Sequence, residues 1–371
     1  MDFTLDETQQ AIAELAGTIL ADRCSTERLR AHEASADPYP TDTWRELAKA
    51  DLLGVALPEA IGGGGFGVLE ACLVAEQVGR HVAPIPFAET LAAAMTLAAP
   101  DGASGAGAHG SLLASVIAGG AVLTVALDEP GGTGADAPVC TATATADGDG
   151  WRVSGTKAPV RWGADAAAIV VTAAIDGGDV GLFLVEAGAD GMSATAEEAM
   201  SGLPVASLEL AGTPAARLGG SGAAEEARRV AVALSCATVA GVCEGALRIT
   251  AAYVSEREQF GTKIGTFQAV GQRMADAYVD TEAIRLTSRQ AAWRLSVGMP
   301  ADDELHIAKF WAADGSHRVV HAAQHLHGGV GLDLEVPIHR YFRWAKELEL
   351  QLGSGTEHLL ALGAAIAATP A

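Results

Sequence analysis

The sequence is poor in cationic side chains. It contains 24 Lys and Arg residues against 46 Asp and Glu residues, which gives a formal net charge of −22. A protein of this charge repels phosphate backbones and anionic lipid headgroups, so the composition argues against nucleic acid or a membrane surface as a partner. Any anionic ligand must therefore meet a local group of cations.

Cysteine is scarce as well, and the five cysteines form no CxxC pair. Their odd number and scattered positions exclude a disulfide framework and predict reduced, buried thiols. The cysteines are Cys24, Cys72, Cys140, Cys236 and Cys243.

Nucleotide-binding and targeting motifs are also missing. No GxGxxG or GxxxxGK[ST] motif occurs, which argues against a Rossmann or P-loop site. No basic region followed by an apolar one opens the chain, and charges or glycines interrupt the apolar stretches before membrane-spanning length. We therefore expect a cytoplasmic protein without a membrane partner.

The 371 residues are 49% hydrophobic, enough for several packed layers. Apolar residues at three-to-four spacing predict a helical domain over residues 1–120, ending near a flexible loop at 99–110. Short β-branched runs separated by glycine predict a β-domain over 121–222 without βαβ alternation. Long amphipathic segments over 223–371 predict a bundle, with helices at 225–257, 267–297, 302–326 and 356–368.

Several motifs, in order along the whole chain, resemble those of the acyl-CoA dehydrogenase family. The segment Arg257–Gly265 with Phe267 and Gln268 resembles RxxFGxxI…FQ, and His325–Gly331 resembles QIxGGxG. The other matching segments are Met1–Phe3, Pro58–Gly63, Glu76–Arg80 and Asp128–Gly131.

The resemblance implies an α+β fold with an N-terminal helical domain, a middle β-barrel or sandwich and a C-terminal four-helix bundle. It also implies FAD lying partly across a subunit interface. An arginine fork suits a diphosphate, and glycines allow close backbone approach to a cofactor. The implied cofactor-binding residues are Arg257, Phe260, Gln268, His325, Gly328, Gly329, Asp128 and Thr356.

The catalytic carboxylate of the family is missing. The implied reaction is α,β-dehydrogenation of an acyl thioester, in which a carboxylate removes the α-proton while a hydride leaves to the flavin. Most members place this glutamate in a YEGT motif, where this chain has Ser354. A minority place it on the first bundle helix, at a position corresponding to Ala231. A serine hydroxyl is too weak a base without a partner.

Two further departures fall on residues that face the flavin in the family. The family's KxWIT corresponds to Lys157–Arg161, and the threonine before EPG corresponds to Asp128. A carboxylate at the flavin N1–O2 edge would disfavour the anionic reduced flavin. The chain thus retains the features that bind a partner subunit's FAD and lacks the features that carry out the reaction at its own flavin.

This combination resembles the non-catalytic subunit of heterotetrameric acyl-CoA dehydrogenases of bacterial steroid side-chain degradation. The implied partners are a homologous, glutamate-bearing subunit, an acyl-CoA substrate at the shared site and electron-transfer flavoprotein as acceptor. The isolated chain could also form a homo-oligomer, because a surface that binds a homologous partner can pair with a second copy of itself.

Two alternatives remain. The chain is either active by itself, with Asp128, Glu357 or His358 as the base, or a binding or scaffold protein that uses neither FAD nor catalysis. A Glu357 on a helix that begins near Thr356 would be an acidic first-turn residue favoured by the helix dipole.

Other conspicuous residues fit packing or solvent roles. His317, His321 and His325 repeat at helical spacing but lack acidic companions at ligand spacing, so we do not expect a metal. For Arg228 and Arg229, the sequence favours contact with CoA phosphates and exposure to solvent equally. The tryptophans expected in bundle packing or at interfaces are Trp293, Trp311 and Trp344.

Overall fold

The computed structural model describes residues 3–99, 109–131, 137–144, 150–175 and 178–368. Helices come first, strands follow and helices return, which confirms the predicted fold class. The helices are α1 (Glu7–Arg23), α2 (Thr26–Glu33), α3 (Thr41–Lys49), α4 (Val68–Arg80), α5 (Phe87–Ala98), α6 (Gly110–Ile117), α7 (Ser221–Glu256), α8 (Gln268–Ser296), α9 (Asp302–Phe310), α10 (Ser316–His327), α11 (Ile338–Leu348) and α12 (Gly355–Ala368). The strands are β1 (Leu123–Ala126), β2 (Thr141–Ala144), β3 (Trp151–Arg161), β4 (Ala168–Ile175), β5 (Val180–Glu186), β6 (Met192–Glu197), β7 (Val205–Gly219), β8 (Glu258–Gln259) and β9 (Thr262–Lys263).

Contacts between residues group the chain into two compact units. The first contains Met1–Ser35, Val68–Pro84 and Val232–Ala371, and the second contains Ala36–Gly67 and Ile85–Ala231. The predicted boundaries at residues 120 and 222 follow the change of secondary structure, whereas the units follow contacts. Those boundaries stay a prediction.

The second unit is built around a closed sheet. Strands β4, β2, β3, β7 and β5 pair in that order, and β5 also pairs with β4, which closes the ring into a barrel. Its interior holds Val153, Val171, Phe183, Val185 and Leu208, all fully buried. Strand β1 pairs with β4 in parallel, and β6 pairs with the first six residues of β7, Val205–Leu210.

Strand β6 was not predicted. Its sequence MSATAE lacks the β-branched alternation of the other strands, and five of its six residues are exposed. The predicted loop at 99–110 lies mostly outside the described residues. Its last residue, Gly110, already begins α6.

In the first unit, α4 is the central helix. Every residue from Val68 to Gly79 is buried, so α4 lacks the polar face of a surface helix. Glycines let it approach α7 closely: a Cβ atom at Gly79 would lie 1.9 Å from the Thr238 carbonyl oxygen, and one at Gly241 would lie 1.8 Å from that of Glu76. Substitution of either glycine would force the two helices apart.

A network of charges joins α4, α7 and α8. The Glu76 carboxylate, 7% exposed, accepts hydrogen bonds from Arg285 Nε and Arg289 Nη2, each at 3.1 Å. Arg285 also binds Glu244 at 3.1 Å, and Glu244 binds Arg80 at 3.4 Å. Pairing of this kind makes buried charges tolerable, because each charged side chain buried without a partner would cost several kcal/mol of folding free energy.

The long segment predicted as one helix at 302–326 consists of α9, a π-helical turn at Trp311–Gly315, and α10. Helix α11 was not among the predicted helices, although its buried apolar residues Ile338, Tyr341, Trp344 and Leu348 have the three-to-four spacing of an amphipathic helix. Trp344 is buried in agreement with a packing role. Trp293 and Trp311 are half-buried.

All five cysteines are buried and none of them forms a disulfide, as predicted. One helix, Ser221–Glu256, is long and apolar enough to cross a bilayer by length and composition alone. Because 89% of its apolar window is buried inside the protein, it has the character of a core helix.

Candidate functional site

The end of α7 leads into a projecting hairpin. The Arg257 N–H donates to the Tyr253 carbonyl at 2.9 Å, and strands β8 and β9 then pair around Phe260 and Gly261, whose φ values are 54° and 81°. Two consecutive positive φ angles are the requirement of a type I′ turn. The Phe260 ring is 94% exposed at the tip and makes an edge-on contact with Phe267 at 6.3 Å.

A glycine turn follows α10 on the same unit. Gly328 has a φ of 60°, and a Cβ atom at Gly328 or Gly329 would meet nothing within 4 Å. By contrast, a Cβ atom at Gly331 would lie 2.7 Å from Gln324 Nε2. The chain's own packing therefore does not require glycine at 329, and the space beside this backbone is open to a ligand.

One aromatic contact joins the hairpin to the glycine turn. The Tyr253 ring stacks on His327 with 4.4 Å between centroids, and the Tyr253 hydroxyl donates to the His327 carbonyl at 3.5 Å. Arg273, on the second turn of α8, contacts His325 Nδ1 through its Nη1 atom. These contacts join the end of α7, the start of α8 and the end of α10 into one surface, and the six predicted residues Arg257, Phe260, Gln268, His325, Gly328 and Gly329 lie on or directly beside these segments.

We call this surface the glycine-turn cluster. It consists of the six predicted residues Arg257, Phe260, Gln268, His325, Gly328 and Gly329, together with Tyr253 and Arg273. Sequence reasoning missed the last two. Tyr253 lies one helical turn before Arg257, a spacing that could have revealed it, whereas no spacing rule pairs residues 273 and 325.

The other two predicted cofactor residues, Asp128 and Thr356, lie on different segments from this cluster. Asp128 follows β1 in the second unit, where its carbonyl accepts the Ala158 N–H at 3.2 Å. Thr356 is exposed on the first turn of α12. Their assignment to the cofactor stays a prediction.

Ser354 serves as the cap of α12. Its hydroxyl accepts the Glu357 N–H at 3.3 Å, and the Glu357 carboxylate accepts the Ser354 N–H at 2.5 Å. This reciprocal pair is a capping box, which satisfies backbone donors at the helix start. Hydrogen bonding of the Glu357 carboxylate to the backbone N–H and the side chain of Ser354 holds the pKa of Glu357 below its ordinary value. A carboxylate with a lowered pKa is a weaker base.

The other candidate base of this region is also engaged. His358 is 4% exposed; its Nε2 lies 2.9 Å from the Leu352 carbonyl, and its Nδ1 lies 2.9 Å from His306 Nδ1. Both ring nitrogens of His358 therefore already have partners within the chain. Ala231, the second position of the family's glutamate, is buried in α7 and carries no titratable group.

The segment that replaces KxWIT contains a buried ion pair. Lys157 Nζ lies 2.5 Å from Glu129 Oε1 and 3.0 Å from Thr172 Oγ1 inside the barrel. Burial would raise the pKa of Glu129, but Lys157 and the N–H groups of Val139 and Cys140 lower it below its ordinary value. Glu129 thereby holds the segment after β1 against β3.

The other singled-out residues have partners within the chain. Arg228 pairs with Glu225, and Arg229 pairs with Glu226. Binding of CoA phosphates by these two arginines stays a prediction. His317 stacks on His321 at 4.3 Å. Within the part of the chain that the structure describes, no group of three or more His, Cys, Asp or Glu side chains could hold a metal ion.

Comparison with known proteins identifies the family. Residues 6–118 match the model of the acyl-CoA dehydrogenase N-terminal domain, and residues 190–366 match that of the C-terminal domain. Acyl-CoA dehydrogenase FadE27 of Mycobacterium tuberculosis is 40% identical, with 100% of each chain covered. The chain belongs to the acyl-CoA dehydrogenase family.

Two solved structures are similar over the whole fold. A chain of a variant of the Tcur3481–Tcur3483 steroid ACAD has a TM-score of 0.92 and 44% identity, covering 98% of this chain and 99% of that one. A chain of the ChsE4–ChsE5 complex from M. tuberculosis has a TM-score of 0.92 and 39% identity, with 100% of both chains covered.

FAD is the cofactor of acyl-CoA dehydrogenases. The glycine-turn cluster fits its diphosphate, because Arg257 and Arg273 supply guanidinium forks and the turn at Gly328 and Gly329 is open. Neither arginine makes an ion pair with a carboxylate of the described residues. In a protein of net charge −22, two cations without a carboxylate partner are the local group of positive charge that an anionic ligand requires.

Proposed function

We propose that this chain is the non-catalytic subunit of an FAD-dependent acyl-CoA dehydrogenase assembly. The observation that carries the proposal is the capping box at Ser354. The position of the family's base is occupied by a residue that caps α12, and the nearby Glu357 is the other half of the same cap. The chain would depend on a homologous subunit that carries the glutamate.

The glycine-turn cluster supports the second half of this proposal, completion of a partner subunit's FAD site. Its side chains are exposed except for the half-buried Tyr253, and a Cβ atom at Gly329 would meet no other atom of the chain within 4 Å. When bound, FAD supplies the hydride acceptor for oxidation of the acyl thioester. This chain would bind the FAD diphosphate through Arg257, and Phe260 would cover part of the cofactor from water.

Exposed apolar side chains on the bundle provide a surface for the partner. On α8, Val279 is 63% exposed and Leu286, two helical turns later, lies on the same side of the helix. The preceding residue, Tyr278, is exposed as well. On α12, His358 is the one buried residue of the 14 in the helix, although the stretch from Leu359 to Ala368 has no charged side chain. Contiguous apolar surface of this kind marks an interaction site.

The similar chains come from assemblies with two named components, ChsE4–ChsE5 and Tcur3481–Tcur3483, and the latter is named a steroid ACAD. These similarities support a heteromeric assembly and a steroid side-chain CoA ester as the substrate class. We further propose electron-transfer flavoprotein as the acceptor and the cytoplasm as the location.

Purification of the tagged chain from its native host tests the proposal. We expect a second, glutamate-bearing family member in equal amount, absorbance near 450 nm, and bleaching of that absorbance on addition of acyl-CoA. The chain expressed alone should dehydrogenate no acyl-CoA. Flavin-dependent turnover by the pure chain would contradict the proposal, and loss of that turnover in Asp128→Asn would then identify Asp128 as the base.

The matched control replaces the glutamate of the co-purified partner with glutamine. If the partner supplies the base, this variant assembles, retains FAD and loses turnover by about 10²-fold or more. Retained turnover would show that the base lies on this chain after all.

A further inference from the structure

We propose that Arg273 is a further residue for the FAD diphosphate, and that it acts as a pair with His325. The inference rests on the proposed function, because the FAD concerned is the one shared with a partner subunit. It begins from the direct contact between Arg273 Nη1 and His325 Nδ1, which joins the second turn of α8 to the last turn of α10.

A hydrogen bond between Arg273 and His325 would require one particular tautomer of the imidazole. A guanidinium group donates hydrogen bonds and accepts none, so Nδ1 of the neutral imidazole must be the acceptor. The ring proton then lies on Nε2. His325 therefore presents an N–H donor to its surroundings at the position where the family usually has a glutamine amide.

The charge of Arg273 is not compensated by the chain itself. In the residues that the structure describes, carboxylates pair with Arg285, Arg318 and Arg340, whereas no carboxylate pairs with Arg273. Arg273 is exposed, as is His325. An exposed cation that faces no anion of its own chain is available to an anionic ligand.

A series of contacts connects Arg273 to the remaining groups of the glycine-turn cluster. His325 precedes His327 by two residues, His327 stacks on Tyr253, and the Tyr253 carbonyl holds the Arg257 N–H at 2.9 Å. The open glycine turn starts directly after His327. Arg257 and Arg273 are thus carried by segments that contact the residues just before the open turn. Two guanidinium forks and one imidazole N–H are the donor set that a diphosphate requires.

The test uses the assembly of this chain with its co-purified partner, stripped of flavin and titrated with FAD or with ADP. Arg273→Met should weaken FAD binding by about tenfold to a hundredfold, the range for loss of a charge-assisted hydrogen bond. ADP, which carries the diphosphate without the flavin ring, should lose affinity by the same factor. Arg45→Met removes an exposed arginine of α3 and should leave both affinities unchanged.

Substitutions at His325 separate positioning from charge. His325→Gln keeps a side-chain donor and acceptor and should retain FAD affinity within about threefold, whereas His325→Leu should lose about tenfold. Unchanged dissociation constants for FAD and ADP in Arg273→Met would overturn the inference. If that variant does not assemble, Arg273→Lys replaces it. The lysine keeps the charge but lacks the fork, and unchanged affinity in both Arg273→Lys and His325→Leu would also overturn the inference.

Failure of the inference differs from failure of the proposed function. If the chain purifies without a homologous partner but holds FAD as a homo-oligomer, the proposed function is wrong, and the same titrations on the homo-oligomer still test Arg273. If the mixed assembly forms and Arg273→Met binds FAD and ADP normally, the proposed function stands and Arg273 has no part in it.

Discussion

At the scale of single residues, the hydroxyl of Ser354 accepts the Glu357 N–H at the start of α12. Ser354→Ala removes this acceptor and should lower the free energy of unfolding by about 1 kcal/mol, whereas Ser354→Asp, also a good cap, should not. Urea denaturation measures the difference. The control is Thr356→Ala, an exposed first-turn residue outside the cap.

The same substitution separates a structural role of Ser354 from a catalytic one. If Ser354 only caps the helix, the Ser354→Ala assembly with its partner should turn over acyl-CoA at the wild-type rate. A fall in turnover of tenfold or more, with the assembly intact, would assign Ser354 to catalysis instead.

Glu357 should make stability depend on pH in the acidic range. Its pKa in the folded protein lies below the ordinary value of 4.5, so its contribution is present above 4.5 and is lost as the pH falls through the folded value. Glu357→Gln should therefore be less stable than wild type near neutral pH, and the difference should shrink below pH 4.5. Thermal unfolding between pH 3 and 7 measures this, and a constant difference across the range would contradict it.

At the scale of secondary-structure elements, the Lys157–Glu129 pair links β3 to the segment after β1. Lys157→Met should leave the Glu129 carboxylate buried without its cation and cost about 3–5 kcal/mol of unfolding free energy. The double variant with Glu129→Gln should recover much of that loss, because no buried charge then remains.

Chemical denaturation of the single and double variants measures the coupling between the two residues. Lys49→Met is the matched control, since Lys49 forms an exposed pair with Glu46 and should cost under about 1 kcal/mol. A cost for Lys157→Met no larger than that of the control would show that the buried pair does not hold β3 in place.

At the scale of the whole molecule, the apolar outer side of α8 is expected to meet the partner subunit. Val279→Asp places a charge on a side chain that is 63% exposed in the single chain and should convert the mixed assembly to smaller species. Light scattering coupled to size-exclusion chromatography measures this. Met200→Asp, at an exposed position after β6, should assemble normally. An unchanged assembly in Val279→Asp would place the interface elsewhere.

The sequence by itself determined the order of helices and strands, because apolar periodicity and glycine turns are local signals. It also determined the family, because Arg257–Gly265 and His325–Gly331 are contiguous motifs. Strand β6 escaped this reasoning because it is almost entirely exposed and is held by pairing with β7. Helix α11 was missed although its apolar residues have helical spacing, whereas the partner of its Arg340, Glu33 at 2.5 Å, is known only from the fold.

The tertiary structure decided which side chains act together. Residues 273 and 325 are 52 positions apart and meet only because α8 packs against α10. Residues 129 and 157 are joined inside a barrel whose closure depends on pairing between β4 and β5. Such contacts depend on where distant segments lie after folding, and local sequence patterns carry no information about that distance. That residues 354 and 231 are serine and alanine could be read from the sequence, whereas the capping role of Ser354 required the geometry of α12.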